Sequence, residues 1–397
     1  MCFILHPVWY AGTVKIVSLL PLVAVIPNPC LVSGVGTVDG AYILSSEDRS
    51  AWNRTRPLMK GESVNYMISS PEGRLFASTL SDGIFISDDS KKWTRSSRGL
   101  TVNKVWSVEQ DAHAPDTVYA GTQYGHLFRS DNSGKSWEEV TGLYEAPHRK
   151  DWGIDWGFGT TGLTVHTIKS DPRKKGRLYL IAAGNGAYRS DDSGGTWESL
   201  RSGIMDDCSW DFKAEGKGKD RKSASQVKNE HLQTVHMCAH KITLSPSKND
   251  TVYQQNHCGV YSTKSAGSEW NDISPTPETR HGFGITATKG SRDTIFTVPA
   301  YQTGCKMKHN SCIQGQLSVM RSSDEGKTWK KLTNGLPKNV HNCVLRDSVT
   351  SDDQRYPGIY FGTTTGEVYA SIDNGNTWKE IAKGLGRIQG LSFLGAL

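Results

Sequence analysis

The sequence has no apolar run long enough to cross a membrane as a helix. Its most apolar stretch, residues 16–26, is short and contains Pro21, whereas a spanning helix needs about 20 apolar residues. The stretch could be the apolar part of a signal peptide, although only Lys15 precedes it and no small-residue cleavage site is evident before Cys30. We therefore predict no membrane span and a cytoplasmic location. A secreted or periplasmic location is the alternative if this segment is a signal peptide.

Charge of one sign is not in excess either. The 397 residues include 46 Lys and Arg against 40 Asp and Glu, and the two signs are interleaved along the chain. A nucleic-acid-binding protein usually concentrates basic residues in a patch or stripe. The composition therefore predicts no nucleic-acid partner.

Metal and disulfide signatures are missing as well. The eight cysteines are scattered through a chain large enough to build its own core, so a disulfide framework is not required. Only Cys305 and Cys312 are close neighbours, and they could close one loop in an oxidising compartment. Neither a CxxC nor an HExxH spacing occurs, so we expect no cofactor and no metal.

What the chain has is a repeat, found seven times. The pattern is a β-branched or aromatic run, a Gly-containing turn, a second run that ends in Ser, and an acidic-Gly turn closed by Trp, and it is clearest in the copies that end at Trp137, Trp197 and Trp378. The seven copies end at Trp52, Trp93, Trp137, Trp197, Trp270, Trp329 and Trp378. The closing element Ser-x-Asp-x-Gly-x-Thr-Trp is complete at residues 190–197, 322–329 and 371–378, and Asn132 and Ser136 replace two of its members at 130–137.

Each member of this element has a structural reason. The Asp carboxylate can accept hydrogen bonds from N–H groups of the turn, Gly supplies a positive φ, and Trp packs a large apolar face against the sheet. We therefore interpret Asp192, Asp324 and Asp373 as residues that stabilise the fold and not as catalysts.

A further β-like run precedes six of the copies and is interpreted as the innermost strand of a blade. These runs are residues 64–69, 104–109, 163–169, 235–244, 282–288 and 342–349. The first copy, which begins near Leu31, has no such run before it, and residues 388–393 can supply the strand from the other end of the chain. The sequence therefore predicts an all-β, seven-bladed β-propeller over residues 31–397, closed by its C-terminal strand. Residues 1–30 are predicted to be a tail or signal-like extension outside the propeller.

These Asp boxes and their spacing resemble the BNR (bacterial neuraminidase) repeat superfamily of sialidase-like propellers. The segments His240-KITLSP, Val252-YQQNHCGVYS and Phe361-GTTTGEVYAS are similar to bacterial and archaeal proteins described as exo-α-sialidase-like or WD40/YVTN/BNR-like repeat proteins. The superfamily includes sialidases, xyloglucan-cleaving enzymes, sortilin-type receptors and photosystem assembly factors. The chain departs from true sialidases because it lacks the Phe/Tyr-Arg-Ile-Pro motif, and no Tyr nucleophile with a Glu partner can be assigned.

The long insertions predict where a ligand binds. In a four-stranded blade the Asp box joins the third and fourth strands. Loops that enter the first strand, or join the second to the third, therefore emerge on the opposite face. The long insertions all belong to those two kinds of loop: residues 144–161, 201–234, 275–281 and 301–315. Long loops gathered at one end of a rigid scaffold commonly carry function.

Aligning the inner strands gives a ring of positions that we expect to point towards the axis: Tyr66, Trp106, His166, His240, Phe283 and, approximately, Arg346. Aromatic and cationic groups around a funnel suit a sugar or a small anion, although the aromatic residues could simply fill the channel. The predicted ligand-binding residues are His166, His240, Arg346, His257, Asn256, Trp106, Tyr66 and Trp156. A zinc ion held by His236, His240 and His257 is an alternative at the same place.

We accordingly predict a non-catalytic module that binds a glycan, a small anion or a partner protein on its loop-bearing face. The alternative is a glycoside hydrolase related to sialidases or xyloglucan-cleaving propellers. Such an enzyme would need two placed carboxylates. The candidates on the loop-bearing face are Asp347, Asp155 and Asp151. The alternative is that these three acids are solvated or salt-bridged residues of the loops and have no catalytic role.

Overall fold

The computed structural model describes residues 31–151, 163–204, 238–300 and 313–396. In chain order its strands are β1 (Leu31–Thr37), β2 (Gly40–Ser46), β3 (Asn53–Arg54), β4 (Val64–Ser69), β5 (Leu75–Thr79), β6 (Ile84–Ser87), β7 (Thr94–Arg95), β8 (Val105–Gln110), β9 (Val118–Thr122), β10 (Leu127–Ser130), β11 (Glu138–Glu139), β12 (Val165–Ser170), β13 (Leu178–Ala182), β14 (Gly186–Ser190), β15 (Glu198–Ser199), β16 (Ala239–Leu244), β17 (Val252–Asn256), β18 (Gly259–Thr263), β19 (Asn271–Asp272), β20 (Gly282–Thr288), β21 (Thr294–Pro299), β22 (Ile313–Gly315), β23 (Val319–Ser322), β24 (Lys330–Leu332), β25 (Val340–Asn342), β26 (Val349–Ser351), β27 (Ile359–Gly362), β28 (Val368–Ser371), β29 (Lys379–Ala382) and β30 (Ile388–Ala396). Short 3-10 helices occur at Thr141–Glu145, Arg149–Asp151 and Pro277–Thr279. None of the helices in the described ranges has the length and apolar character needed to span a membrane.

The strands form seven four-stranded antiparallel sheets, which are the blades of a seven-bladed β-propeller. Blade one consists of β30, β1, β2 and β3, from the inside outwards. Blades two to five are β4–β7, β8–β11, β12–β15 and β16–β19, blade six is β20, β21, β23 and β24, and blade seven is β26–β29. Strands β22 and β25 form a separate two-stranded ladder. The predicted fold class is confirmed.

The ring is closed by the C-terminal strand, as the repeat pattern predicted. β30 pairs antiparallel with β1, placing Val35 opposite Leu391 and Thr37 opposite Ile388. The predicted inner strands of blades two and six match β4 and β20 at both ends. In blade seven the prediction was displaced: residues 342–349 share only Val349 with the inner strand β26. Asn342 belongs to β25 instead, and the carbonyl of Asp347 accepts the N–H of Leu391 in blade one.

The hydrophobic core lies between adjacent blades. Phe76 of blade two packs in one cluster with Val105 and Phe128 of blade three, and Phe296 of blade six packs with Phe361 of blade seven. All of these side chains are at most 1% exposed. Since each blade covers the apolar face of its neighbour, a missing blade surface would expose core on both sides of the gap.

The seven repeated Trp residues share one position, directly before the outermost strand of each blade. The Trp378 ring lies 5.1 Å from the ring of Phe361, and the Trp137 indole N–H donates to the carbonyl of Ser96 in blade two at 3.0 Å. The Trp residues therefore connect each outer strand to the packed sheet or to the next blade.

The polar turn before each Trp is held by the Asp carboxylate. In blade four Asp192 Oδ1 accepts hydrogen bonds from the Ser190 hydroxyl at 2.7 Å and from the Thr196 N–H at 2.8 Å, and Oδ2 accepts from the Thr196 hydroxyl at 2.7 Å. The equivalent bonds occur at Asp324 and Asp373. Gly194 has a φ of 97° in this turn, a conformation that favours Gly.

Replacing Asp324 by Ala is expected to lower the free energy of unfolding by about 1 kcal/mol or more, because the turn loses its acceptor. Urea unfolding would measure the loss. Asp324→Asn is the matched control, since Asn132 in blade three accepts the N–H of Ser136 at 2.9 Å through its amide oxygen. We expect the Asn variant to lose less stability than the Ala variant. An Ala variant with unchanged stability but impaired ligand binding would contradict the structural role.

The same residue predicts an acid dependence. The hydrogen bonds from the Thr328 side chain and backbone lower the pKa of Asp324 from 3.8 to about 2. A carboxyl group whose pKa is depressed by folding contributes stability above its unfolded pKa and loses it as the pH falls through the folded pKa. Its contribution should therefore disappear between about pH 4 and pH 2, and Asp324→Asn should lack this part of the acid dependence.

Candidate ligand-binding site on the propeller axis

Six of the seven inner strands have a β-bulge close to their beginning, and β26 of blade seven pairs without one. A bulge leaves one residue outside the ladder and redirects its side chain. In blade four, for example, Val165 and Thr167 pair with successive residues of the next strand, and His166 between them pairs with none. The residues left out in this way are Asn65, Trp106, His166, His240 and Gln389, with Phe283 and Gly284 both left out in blade six.

The backbone register corrects the predicted ring of axial positions. In every blade one carbonyl at the start of the inner segment accepts an N–H from a residue just after the second strand. These carbonyls belong to Ser63, Lys104, Thr164, Cys238, His281, Cys343 and Arg387. Counting from them, Trp106, His166, His240 and Phe283 are equivalent, as predicted. Tyr66 and Arg346 lie one residue later and are equivalent to Lys241.

Some of these side chains link neighbouring blades. Gln389 donates to the carbonyl of Val64 at 3.0 Å, and His240 Nδ1 lies 2.6 Å from the carbonyl of Gly282, the corresponding residue of the next blade. Because a carbonyl oxygen can only accept, Nδ1 of His240 carries the proton and Nε2 presents its lone pair. His240 therefore has a structural bond on one side of its ring and an acceptor atom on the other.

Two lysines near the axis are paired with acids from other blades. Lys241 of blade five forms an ion pair with Asp347 of blade seven, and their side chains are only 8% and 5% exposed. Lys169 of blade four lies 2.7 Å from Glu109 of blade three. The ammonium groups of Lys241 and Lys169 lie 5.1 and 5.9 Å from the centre of the Tyr66 ring. Charges and aromatic faces from five blades thus meet at one place.

Arg346 differs from these lysines. Its guanidinium lies 5.8 Å from the ring centre of Trp106, and it forms no ion pair with any residue in the described ranges. Arg346 Nε and Trp106 Nε1 are buried donors that have no hydrogen-bond partner among the described residues. The axial cluster therefore contains one positive charge that no described carboxylate offsets, next to an indole donor.

The two axial imidazoles are neutral at neutral pH. Burial lowers the pKa of His166 well below 6.5, and the nearby positive charges of Arg346 and Lys241 lower it further. Burial also lowers the pKa of His240, with His281 as the next cause. His166 Nδ1 lies 3.1 Å from the Thr167 hydroxyl. These rings can donate or accept hydrogen bonds to a ligand without adding positive charge.

The hairpin turn of blade five contributes the other predicted residues. His257 and Asn256 are buried, with 6% and 1% of their surface exposed, and Asn256 Oδ1 accepts the N–H of Cys258 at 2.9 Å. One potential ligand atom each of Cys238, His240 and His257 lie within 4.8 Å of one another. Cys238 is a free thiol, whereas Cys258 takes part in a disulfide bond.

The predicted catalytic acids do not form a pair within the described residues. Asp347 is 4% exposed and lies beside the inner strand of blade one, where its carbonyl accepts the N–H of Leu391 at 2.8 Å. Asp151 ends a 3-10 helix. Asp155, Trp156, His236 and the pair Cys305 and Cys312 lie outside the described residues. Sequence reasoning missed Lys169 and Glu109, whose only signal was their place on inner strands.

Comparison with known proteins supports the fold. No protein-family model matches the chain, and no curated protein matches it. Among solved structures the chain is similar to an ancestral GH74 enzyme, with a TM-score of 0.54 and 16% identity over 81% of this chain and 38% of that one. It is also similar to virginiamycin B lyase from Staphylococcus aureus, with a TM-score of 0.50 and 13% identity over 80% and 83% of the two chains. YCF48 bound to a D1 peptide gives a TM-score of 0.48 and 12% identity over 89% and 85%.

These comparisons define the class of protein. The chain spans less than half of the length of the GH74 enzyme that it resembles. At 16% identity or less, the likeness shows a shared β-propeller fold, and the same fold carries many unrelated functions. The function has to be argued from the axial site.

Proposed function

We propose that this propeller is a non-catalytic binding module that holds a small organic anion, such as a carboxylate-bearing sugar, at the axial site. The observation that carries the proposal is the combination of Arg346, whose charge no described carboxylate offsets, with the buried indole N–H of Trp106. A guanidinium presents a planar set of donors that matches a carboxylate in two parallel hydrogen bonds.

The charges around Arg346 support an anion over a cation or a purely apolar ligand. Lys241 and Lys169 are each offset by an acid, and His166 and His240 are neutral, so among the described residues one positive charge remains. Keeping a half-buried charge that has no partner in the described part of the chain costs free energy, and a bound anion would reduce that cost. The neutral imidazoles and the Trp106 ring supply hydrogen bonds and a stacking face for a hydroxylated ring.

We further propose that the chain belongs to the sialidase-like BNR superfamily. The proposal is supported by the hydrogen bonds of Asp192, Asp324 and Asp373, which give the repeated turn a common geometry. We also propose that residues 31–397 form the propeller and that the ligand enters from the loop-bearing face. The disulfide bond of Cys258 favours an oxidising compartment over the cytoplasm.

Replacing Arg346 by Ala is expected to weaken anion binding about tenfold to a hundredfold, which corresponds to the loss of a charged hydrogen-bond donor. Isothermal titration of glucuronate, with glucose as the uncharged probe of similar shape, would measure it. The wild-type protein should prefer glucuronate, and Arg346→Ala should lose that preference. The matched control is Arg355→Ala, because Arg355 also lies over an aromatic ring, at 5.5 Å from Tyr356, but on the exposed surface.

Equal binding of glucuronate by the wild type and Arg346→Ala would contradict the assignment of the site. The same proteins should be tested against chromogenic glycosides, including a sialoside. We expect no turnover, because Asp347 is tied to Lys241 and no second carboxylate is paired with it among the described residues. Robust turnover that a folded Asp347→Asn variant lacks would establish a glycoside hydrolase instead.

A further inference from the structure

We propose that Cys238, His240 and His257 bind a single zinc ion, or a related late transition metal, at the rim of the axial site. The ligand atoms of the three residues lie within 4.8 Å of one another. In a tetrahedral zinc site with bonds of about 2.0–2.3 Å, neighbouring ligand atoms are about 3.3–3.8 Å apart. The largest of the observed separations therefore has to close by about 1.0–1.5 Å, which side-chain rotations can provide.

The backbone holds the three residues together. Cys238 and His240 are two residues apart at the start of the inner strand of blade five, where the bulge leaves His240 out of the ladder. Their ligand atoms lie within 4.8 Å of each other. His257 begins the two-residue hairpin between β17 and β18, and its N–H donates to the carbonyl of Cys238 at 2.9 Å. The site is thus built on strands and a tight turn, which position ligands more precisely than long loops do.

The surroundings resemble those of metal-ligating histidines. A ligating imidazole usually donates its second ring N–H to a carbonyl or carboxylate, which fixes the tautomer. His240 makes this bond to the carbonyl of Gly282 at 2.6 Å, and its Nε2 is the atom left to ligate. The ring of Phe283 stacks on His240 at 4.6 Å and forms an apolar wall beside it.

His281 supports the position of His257. His281 Nδ1 lies 2.9 Å from the carbonyl of His257, and the centres of the two imidazole rings are 4.4 Å apart. The contact orients the hairpin backbone that presents His257. An alternative explanation is that the histidines and Phe283 only pack together as a buried cluster, and metal binding distinguishes the two.

The set of donors selects the kind of metal. One thiolate and two imidazoles suit zinc and its neighbours, whereas magnesium and calcium prefer oxygen ligands. Burial raises the pKa of the Cys238 thiol, while the positive charge of Arg346 and the N–H of Gly184 act in the opposite direction. Binding of a cation would favour the thiolate over the thiol.

Three protein ligands leave a fourth coordination position. His240 and Arg346 directly precede Lys241 and Asp347, the two members of the buried ion pair, so the fourth position and the guanidinium belong to the same axial cluster. The proposal that the anion occupies the fourth position rests on the proposed function, because it makes the metal a second binding point for the same anion. The binding of the metal itself does not depend on the proposed function.

The test is a titration of the full chain with Co²⁺ after treatment with a chelator. No thiol reductant is added, since Cys258 is in a disulfide bond. We expect one Co²⁺ per chain, visible bands of a four-coordinate ion and a near-ultraviolet thiolate-to-cobalt charge-transfer band, all removed by one equivalent of Zn²⁺. Cys238→Ser should lose the charge-transfer band, and His257→Ala should weaken Co²⁺ binding at least tenfold.

The matched control is Cys343→Ser. Cys343 is the other free thiol among the described residues and occupies the position in blade seven that Cys238 has in blade five. Its variant should keep the full cobalt spectrum. Circular dichroism should show that all three variants are folded. Failure of the wild type to bind Co²⁺ stoichiometrically, or an unchanged charge-transfer band in Cys238→Ser, would overturn the metal site.

The metal and anion proposals can fail separately. Arg346→Ala should keep Co²⁺ binding and lose the preference for glucuronate. Stoichiometric Co²⁺ binding without any binding of glucuronate would leave the metal site and reject the proposed function. Binding of glucuronate by a protein that does not bind Co²⁺ would support the proposed function and reject the metal site.

Discussion

Removing residues 387–397 is expected to abolish cooperative folding of the propeller. β30 supplies the inner strand of blade one and pairs with β1 along its whole length. Its side chains Ile388, Leu391 and Leu394 are 0%, 1% and 3% exposed. Without β30, β1 would present an unpaired edge, and the core on both sides of blade one would be open to water.

The expected size of the effect follows from those three side chains. Truncating one buried aliphatic residue to Ala costs about 2–5 kcal/mol, so losing three of them costs about 6–15 kcal/mol before any lost ladder hydrogen bond is counted. The whole stability of a typical domain is about 5–15 kcal/mol. The expected loss is therefore as large as the whole stability of a typical domain.

Thermal unfolding followed by circular dichroism would measure this result. The truncated protein should show no cooperative transition, whereas Leu391→Ala should unfold cooperatively at a reduced temperature. Adding a peptide with the sequence of residues 388–396 in excess should restore part of the transition, since the missing strand is then supplied in trans. A truncated protein that melts like the full chain would show that the ring closes by other means.

The closure of the ring by the C-terminal strand was predictable because the sequence pattern lacks one inner strand. Six copies of the repeat are preceded by a β-like run and the copy beginning near Leu31 is not, so one strand had to come from elsewhere. The positions of the outer strands were predictable too, since each follows a repeated Trp. Both conclusions rest on residues with a strong local signature.

The geometry of the axial site was less predictable because bulges and distant ion pairs have no such signature. Strand ends have no strong signature either. The run of blade four was predicted to end at residue 169, whereas β12 ends at Ser170, and Tyr66 was aligned with His166, although Asn65 occupies that position. The pairing of Lys241 with Asp347 joins two blades across the axis. Sequence alone gave Asp347 as a catalytic candidate and could not identify its partner.

Replacing Asp347 by Asn is expected to destabilise the protein by about 3–5 kcal/mol, because it leaves the buried ammonium of Lys241 without its counter-charge. Urea unfolding would measure the change. Glu109→Gln is the matched control, since it breaks the other axial pair, whose Lys169 and Glu109 side chains are 24% and 14% exposed. Water can solvate that lysine better, so we expect a smaller loss.

The double variant Lys241→Met/Asp347→Leu separates a structural pair from a catalytic acid. If the two charges mainly offset each other, removing both should recover most of the stability lost by Asp347→Asn, because no buried charge remains unpaired. A purely catalytic Asp347 would instead give a single variant of nearly normal stability and a double variant no more stable than the single variant.

Asp347→Asn should also bind glucuronate more tightly than the wild type does, since Lys241 then joins Arg346 as a second cation without a carboxylate partner among the described residues. Weaker binding by that variant would mean that Asp347 itself contacts the ligand.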